Sequence, residues 1–316
     1  MEEVQRIINR LKTGAELCAC GGYLAQTDTL HLTEIYTSLG YERLGRKNDD
    51  IRKIHTTSDE NWNQTFYTLL LRFLGAPNNS KAFEKLASRV EYRVILHYCN
   101  SLHSLEALLI GASGLLDCYP DDEYTLNLKS EFAYLSHKYN IEKMSPSEWV
   151  TTRIYPHNHP VLRMAQAAAF LSQRDFVLDT MLKCREPKDV AALFGVGASD
   201  YWTHHFLPAH DSTEQIKRIG YFKSNILGIN VVAQIQYAYG CYMGNETLRD
   251  RAITLLEKTP AESNSKISRW TAYGVRPKNA FETQALIQLG DCYCKPKRCE
   301  ECPIGRRIIK SVESRL

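Results

Sequence analysis

The residues best suited to chemistry sit near the end of the chain. Cys292-Tyr-Cys294-Lys-Pro-Lys-Arg-Cys299-Glu-Glu-Cys302-Pro spaces its thiols as C-x-C-x4-C-x2-C. A C-x2-C pair on a tight turn aims two sulfurs at one point while nearby backbone N–H groups offset thiolate charge, so such pairs recur in zinc and iron–sulfur sites. The lysines and arginine between the pairs favour deprotonated sulfur. The expected occupant of Cys292, Cys294, Cys299 and Cys302 is therefore a zinc ion or an iron–sulfur cluster. Plain reduced thiols are the alternative, and His204 or His205 is the substitute ligand if Cys292 lies too close to Cys294.

The same segment is basic. Lys295, Lys297, Arg298, Arg306, Arg307 and Lys310 stand against only Glu300 and Glu301, six charges against two, which exceeds the +3 of the whole chain. Lys295, Lys297, Arg298, Arg306 and Arg307 are candidate contacts to nucleic-acid phosphates. A second candidate is Arg163, which with His157, Asn158 and Gln166 surrounds a proline-bounded helix start suited to an anion. The ordinary alternative is an arginine that pairs with a buried carboxylate or caps a neighbouring helix. His157, His159, His204, His205 and His210 titrate near neutrality. No HExxH, nucleophile elbow or phosphate loop organises them, and no catalytic residue is assigned.

Helices must position these groups. In 61–74, Trp62, Phe66, Leu69, Leu70 and Phe73 recur at spacings of three and four, with Gly75 and Pro77 behind them. Ser145-Pro146-Ser147-Glu148 reads as a capping box opening a helix that carries Trp149, and Asn279 caps another that Gly290 stops before the cysteines. Further helices are expected over 102–116, 123–139, 162–172, 176–183, 225–239 and 246–258. The run 92–98 is either a strand or a buried helix. The fold expected is all-α, an irregular multi-helix array with a small C-terminal cysteine-rich metal knuckle. Its divisions are 1–155, 156–290 and 291–316, the first boundary at the proline loop Tyr155-Pro156-His157-Asn158-His159-Pro160.

With 316 residues, 44% of them apolar, the chain can bury a full core. Its first fourteen residues are amphipathic rather than signal-like, and no run reaches the length of a membrane span. A cytoplasmic location is expected. There most of the ten cysteines stay reduced, with Cys18, Cys20, Cys99, Cys118, Cys184 and Cys241 behaving as small buried side chains.

Two resemblances add to this reading. Gln284-Ala285-Leu286-Ile287-Gln288-Leu289-Gly290 running into the cysteines resembles the helix and cluster loop of helix-hairpin-helix DNA glycosylases. Cys292, Cys299 and Cys302 take that family's first three cysteine positions, and Ile308 stands at the last. Leu193-Phe194-Gly195-Val196-Gly197 resembles the same family's phosphate-binding hairpin, with Ser199 where its catalytic lysine is expected and Asp211 out of register with its aspartate. The second resemblance spans nearly the whole chain. Trp62 with Phe66 and Tyr67, Trp149 with Arg153, Pro156-x-Asn158-x-Pro160-x-x-Arg163-x-Ala165-Gln166, Tyr201-Trp202 with His204, Pro260-x-Glu262-x-Asn264, and Gln284-Ala285 leading to Tyr293-Cys294-x4-Cys299-x2-Cys302-x-Ile304-Gly305 are similar to an uncharacterised bacterial family, domain of unknown function 2851. That resemblance implies a further N-terminal, β-containing region with acidic positions reminiscent of nucleases, expected here on a separately encoded partner.

Together these readings lead to a nucleic-acid-associated helical protein, binding DNA or RNA through its basic C-terminal segment. A protein-interaction scaffold with a purely structural metal is the second reading. An enzyme with a pocket lined by Arg163, His157 and His204 is the third.

Overall fold

The computed structural model describes Arg6, Asn9, residues 20–173 and residues 177–313. Apart from Arg6 and Asn9, the amphipathic first fourteen residues, with Cys18 and the start of the 176–183 helix, lie outside the described residues. Chain order runs α1 (Gly21–Gln26), α2 (Thr29–Thr57), α3 (Trp62–Leu74), α4 (Ser80–Arg89), α5 (Tyr92–His97), α6 (Leu102–Ala112), α7 (Glu123–Tyr139) and α8 (Pro160–Ser172). It continues through α9 (Val177–Lys183), α10 (Pro187–Phe194), α11 (Tyr221–Leu227), α12 (Ala233–Tyr242), α13 (Glu246–Lys258), α14 (Ser265–Ala272), α15 (Ala280–Leu289) and α16 (Pro303–Glu313). The fold is all-α. Among the described residues the only sheet is the short antiparallel pair β1 (His205–Leu207) and β2 (His210–Asp211).

Most helices begin where local chemistry provides a cap. Asn61 accepts from the N–H groups of Asn63 and Gln64 at the start of α3, and Asp122 and Thr125 form a reciprocal box at the start of α7. The Ser145 box is present too, but it closes only a single 3-10 turn, Pro146–Glu148, and Trp149 follows in extended backbone. Trp149 is instead held by burial and by its indole N–H, which donates to the Ser113 carbonyl at 2.9 Å. Gly290 does not stop α15: the chain continues through a π-helical turn, Gly290–Cys294, before leaving the helix. The 92–98 run is a short helix, Tyr92–His97, that buries Tyr92, Val94 and Ile95 and exposes Arg93, Leu96 and His97.

Two compact units result, one made of Met1–Asp50 with Ile253–Leu316 and the other of Ile51–Ala252. The boundaries fall inside α2 and α13, whereas the proline loop lies inside the second unit. In the first unit, Leu24, Ile35, Leu39, Ile267, Trp270, Leu286, Leu289, Cys302 and Ile304 share one core cluster. In the second, α6 packs against both α7 and α8. A Cβ on Gly111 would lie 2.3 Å from the Phe132 ring, so glycine permits the close approach of α6 to α7. Every residue of α6 from Ser104 to Ala112, and of α8 from Pro160 to Leu171, is buried. A helix buried all round belongs to the centre of its unit, and any charge on it is desolvated.

Candidate anion site and C-terminal cysteine turn

Each central helix of the second unit carries such a charge, Glu106 on α6 and Arg163 on α8, and they do not ion-pair. His159 caps α8: its Nδ1 accepts the Val161 N–H at 3.4 Å, while Nε2 meets the Tyr119 hydroxyl at 3.1 Å. Burial pushes this imidazole down to about 4, and the neutral form with its proton on Nε2 fits both contacts.

One turn later, Arg163 is 5% exposed. Its Nη1 donates to Gln166 Oε1 and its Nη2 to Asn158 Oδ1, both at 2.8 Å, and its Nε is buried without an acceptor. Burial pushes the guanidinium down to about 10. Gln166 in turn donates to the Lys217 carbonyl at 3.2 Å.

Two lysines share this neighbourhood. Lys217, 1% exposed, donates to the Thr203 carbonyl, Ser212 Oγ and the Thr213 carbonyl at 3.0, 3.2 and 3.3 Å. Its ammonium also stands 4.2 Å from the centre of the Phe206 ring, so its donors are spent on holding the loop after Thr203. Lys223 on α11 is different. It has one acceptor, the Ala76 carbonyl at 3.0 Å, and burial followed by the charge of Arg163 pushes it down to about 7. His157, exposed and edge-on to Phe206, is lowered by desolvation and then by Arg163 and Lys217. Among the described residues no carboxylate forms an ion pair with Arg163, Lys217 or Lys223. Asn158, Arg163 and Gln166 are thus joined by hydrogen bonds, and the guanidinium is held by amide oxygens rather than by a carboxylate.

Glu106 supports this arrangement from the other side of the loop. It accepts from Ser199 Oγ at 2.8 Å and Tyr124 Oη at 3.0 Å, and Trp202 Nε1 donates to that Tyr124 hydroxyl at 3.0 Å. Tyr201 stacks between Tyr124 and His205 at 3.7 and 4.0 Å and donates to Asp122. These contacts fix the 3-10 turn Asp200–Thr203, and hence the carbonyl that holds Lys217. Desolvation raises Glu106 to about 7 despite these hydrogen bonds. Both ring nitrogens of His205 are engaged, Nδ1 with the Tyr201 carbonyl and Nε2 with Asp211, and His204 is exposed beside it. Leu193–Gly197 ends α10 and runs into an extended bridge between Gly197 and Arg218.

Lys217, Lys223 and Glu106 were not singled out from sequence. Only Lys223 left a local trace: it lies four residues before the buried Leu227 and so shares the inward face of α11.

In the first unit, the cysteine segment folds back on itself. The Arg298 N–H donates to the Tyr293 carbonyl at 2.9 Å, Lys297 takes a left-handed φ of 58°, and Cys302 N–H bonds back to Arg298. The Cys302 thiol is raised by burial, and the Gly305 and Ile304 N–H groups, which point at its sulfur, oppose that shift. Cys299 lies near enough for its charge to bear on Cys302. Cys292 and Cys294 are half-buried, Cys294 against the core cluster. Among the described residues no three His, Cys, Asp or Glu side chains are grouped to hold a metal ion. Cys118 and Cys241 are exposed rather than buried, Cys20 and Cys99 half-buried and Cys184 buried.

The basic residues of the segment are partly compensated within the same unit. Arg298 pairs with Glu301, Arg307 donates to Glu34 at 2.5 Å, and Arg306 Nε donates to the Glu300 carbonyl at 3.3 Å. Lys295 lines a groove with Lys266, Arg269 and Asp291.

What these features define is an all-helical protein with uncompensated buried cations in one unit and a cysteine turn in the other. The chain belongs to the family described as a protein of unknown function, DUF2851, whose model matches residues 1–265. The cysteine turn lies beyond the matched residues. No curated protein and no solved structure matches the chain. No helix among the described residues is long and apolar enough to cross a membrane.

Proposed function

We propose that this chain is a nucleic-acid-associated protein whose phosphate contact is made by Arg163 and Lys223 of the second unit. The observation carrying this reading is that two buried cations, close enough to repel, have no carboxylate to offset them. Buried charge is costly unless it is paired. Arg163 and Lys223 keep unspent donors, and a phosphodiester oxygen supplies the missing charge and acceptors together. The basic residues at the C-terminal end contribute less than their number suggests, because exposed pairs such as Arg298 with Glu301 neutralise them locally.

The test is sulfate stabilisation combined with oligonucleotide binding. Sulfate, which does not titrate in the working range, raises the melting temperature of the wild type and leaves Arg163→Gln and Lys223→Met unmoved. Oligonucleotide binding weakens in both variants and falls with salt as counterions are released. Unchanged oligonucleotide binding in both well-folded variants sinks the reading.

The proposal includes a zinc ion or iron–sulfur cluster on the cysteines of the other unit. Support comes from the two backbone N–H groups directed at the Cys302 sulfur and from the turn that carries Cys299 beside it. Elemental analysis of anaerobically purified protein is to find about one zinc, or the iron of one cluster, per chain. Neither metal above background refutes this part alone. A cytoplasmic location, where such thiols stay reduced, belongs to the same reading.

A further inference from the structure

Large aromatic side chains stand in solvent close in sequence to the residues that hold or carry these cations. Tyr155 is 80% exposed, and its carbonyl accepts the N–H of Asn158 at 2.8 Å, the residue whose side chain holds Arg163. Phe222 is 81% exposed and directly precedes Lys223 on α11, with the 57% exposed Tyr221 edge-on to it at 6.0 Å. Exposing rings of this size to water is unfavourable, and fold stability gives no reason for it because none of the three is buried in the core. Phe222 is the immediate chain neighbour of Lys223, and Tyr155 lies three residues before Asn158, whose side chain accepts from Arg163.

We infer that the ligand of this site is single-stranded nucleic acid, its phosphate held by Arg163 and Lys223 and its neighbouring bases stacked on Tyr155 and Phe222. This rests on the phosphate reading above and names its substrate class. Cations without partners select a negatively charged occupant, and an aromatic face offered to water selects one with planar rings. A duplex keeps its bases stacked on each other and offers only its backbone, whereas a single strand supplies both chemistries at neighbouring positions.

The experiment is fluorescence anisotropy with a labelled single strand of about a dozen nucleotides, of mixed sequence, and with the duplex of the same sequence. The variants are Tyr155→Ala, Phe222→Ala, their double, and Arg163→Gln. Truncating a ring that is four-fifths exposed leaves the fold intact, which the melting temperature and its sulfate-induced rise report for each variant. The expected result is preference for the single strand, a loss of about tenfold for each aromatic substitution and about a hundredfold for the double, with the sulfate response of all three unchanged. Duplex binding is expected to be indifferent to both aromatic substitutions.

Equal binding of single strand and duplex, weakened by Arg163→Gln but not by Phe222→Ala or Tyr155→Ala, overturns the stacking inference and leaves the phosphate reading standing. Binding of neither form, with the sulfate response of the wild type intact, overturns both nucleic-acid statements and leaves an anion site of another kind. Lys223→Met serves in place of Arg163→Gln should the latter fail to fold.

Discussion

Replacing Lys223 by methionine removes one buried charge while keeping an unbranched side chain of similar length. In the native protein, burial and then the neighbouring Arg163 hold this ammonium at about 7 instead of its ordinary 10.5. A lysine lowered in this way opposes folding. The unfolded chain binds the additional proton between about 7 and 10.5, so stability rises with pH across that window and the full penalty applies below it. Integrating that difference gives a penalty of about 5 kcal/mol at pH 6 and about 2 kcal/mol at pH 9. The methionine variant escapes both, but it deprives the Ala76 carbonyl of its donor, a cost of about 1–2 kcal/mol at either pH. Urea unfolding in buffers free of sulfate and phosphate should therefore show the variant more stable than wild type by about 3 kcal/mol at pH 6 and nearly equal to it at pH 9. The gap between the two proteins closes by roughly 2–3 kcal/mol over that interval. A difference independent of pH, or a variant less stable at pH 6, would show that the ammonium is already compensated and would remove the main argument for an anion site.

Glu106→Gln carries the opposite sign. A carboxyl raised to about 7 favours the native state below its unfolded value of 4.5 and loses that advantage as pH rises through 7. The glutamine variant, able to accept from one of the two hydroxyls through its amide oxygen and to donate to the other through its NH2, should gain on wild type by about 2–3 kcal/mol between pH 4 and pH 8 in urea titrations, and parallel curves would contradict it. Gly305→Ala places a Cβ 1.9 Å from the Cys299 carbonyl, a clash with backbone that cannot swing aside. It should cost about 1–3 kcal/mol and, if the cysteines hold a metal, lower metal content, as measured by melting and elemental analysis; an unaltered melting temperature would mean that the turn is looser than described.

The all-helical class and most of α3, α6, α7, α8 and α15 were legible because spacing of apolar residues and capping chemistry are local properties. Gln284 and Gln288 show where such reading ends. Both lie on buried helix faces, and their partners, Arg43 and Arg46, are some 240 positions away in sequence but hydrogen-bonded at 2.9 and 3.1 Å. The long helix α2 escaped notice for a related reason: its apolar residues are sparse and Gly40 and Gly45 interrupt it, so its stability comes from what packs on it. At the candidate site, Asn158, Arg163 and Gln166 could be found because one helix start brings them together. Lys217 and Lys223 arrive on a loop and on a later helix, and nothing in a lysine's immediate neighbours says that its ammonium will be dry.

The position of the charges within the fold bears on what they are for. Lys217 makes three hydrogen bonds and rests over a ring, an arrangement sufficient to explain its burial as a loop fastening. Arg163 and Lys223 have no such explanation, because a glutamine or methionine would fill their space with less desolvation and no mutual repulsion. On the proposed reading, retaining both makes the free protein less stable in exchange for affinity, and an anion bound only by the native state would return that stability by mass action, about 2.7 kcal/mol at a hundred times its dissociation constant. On the same reading occupancy would raise the lysine's pKa, linking affinity to protonation, and the anion is expected to be held most tightly below about pH 7. Proposed ligand, proton and fold would thus meet at two side chains, one on the central helix of the unit and one on the short helix that displays Phe222 to solvent.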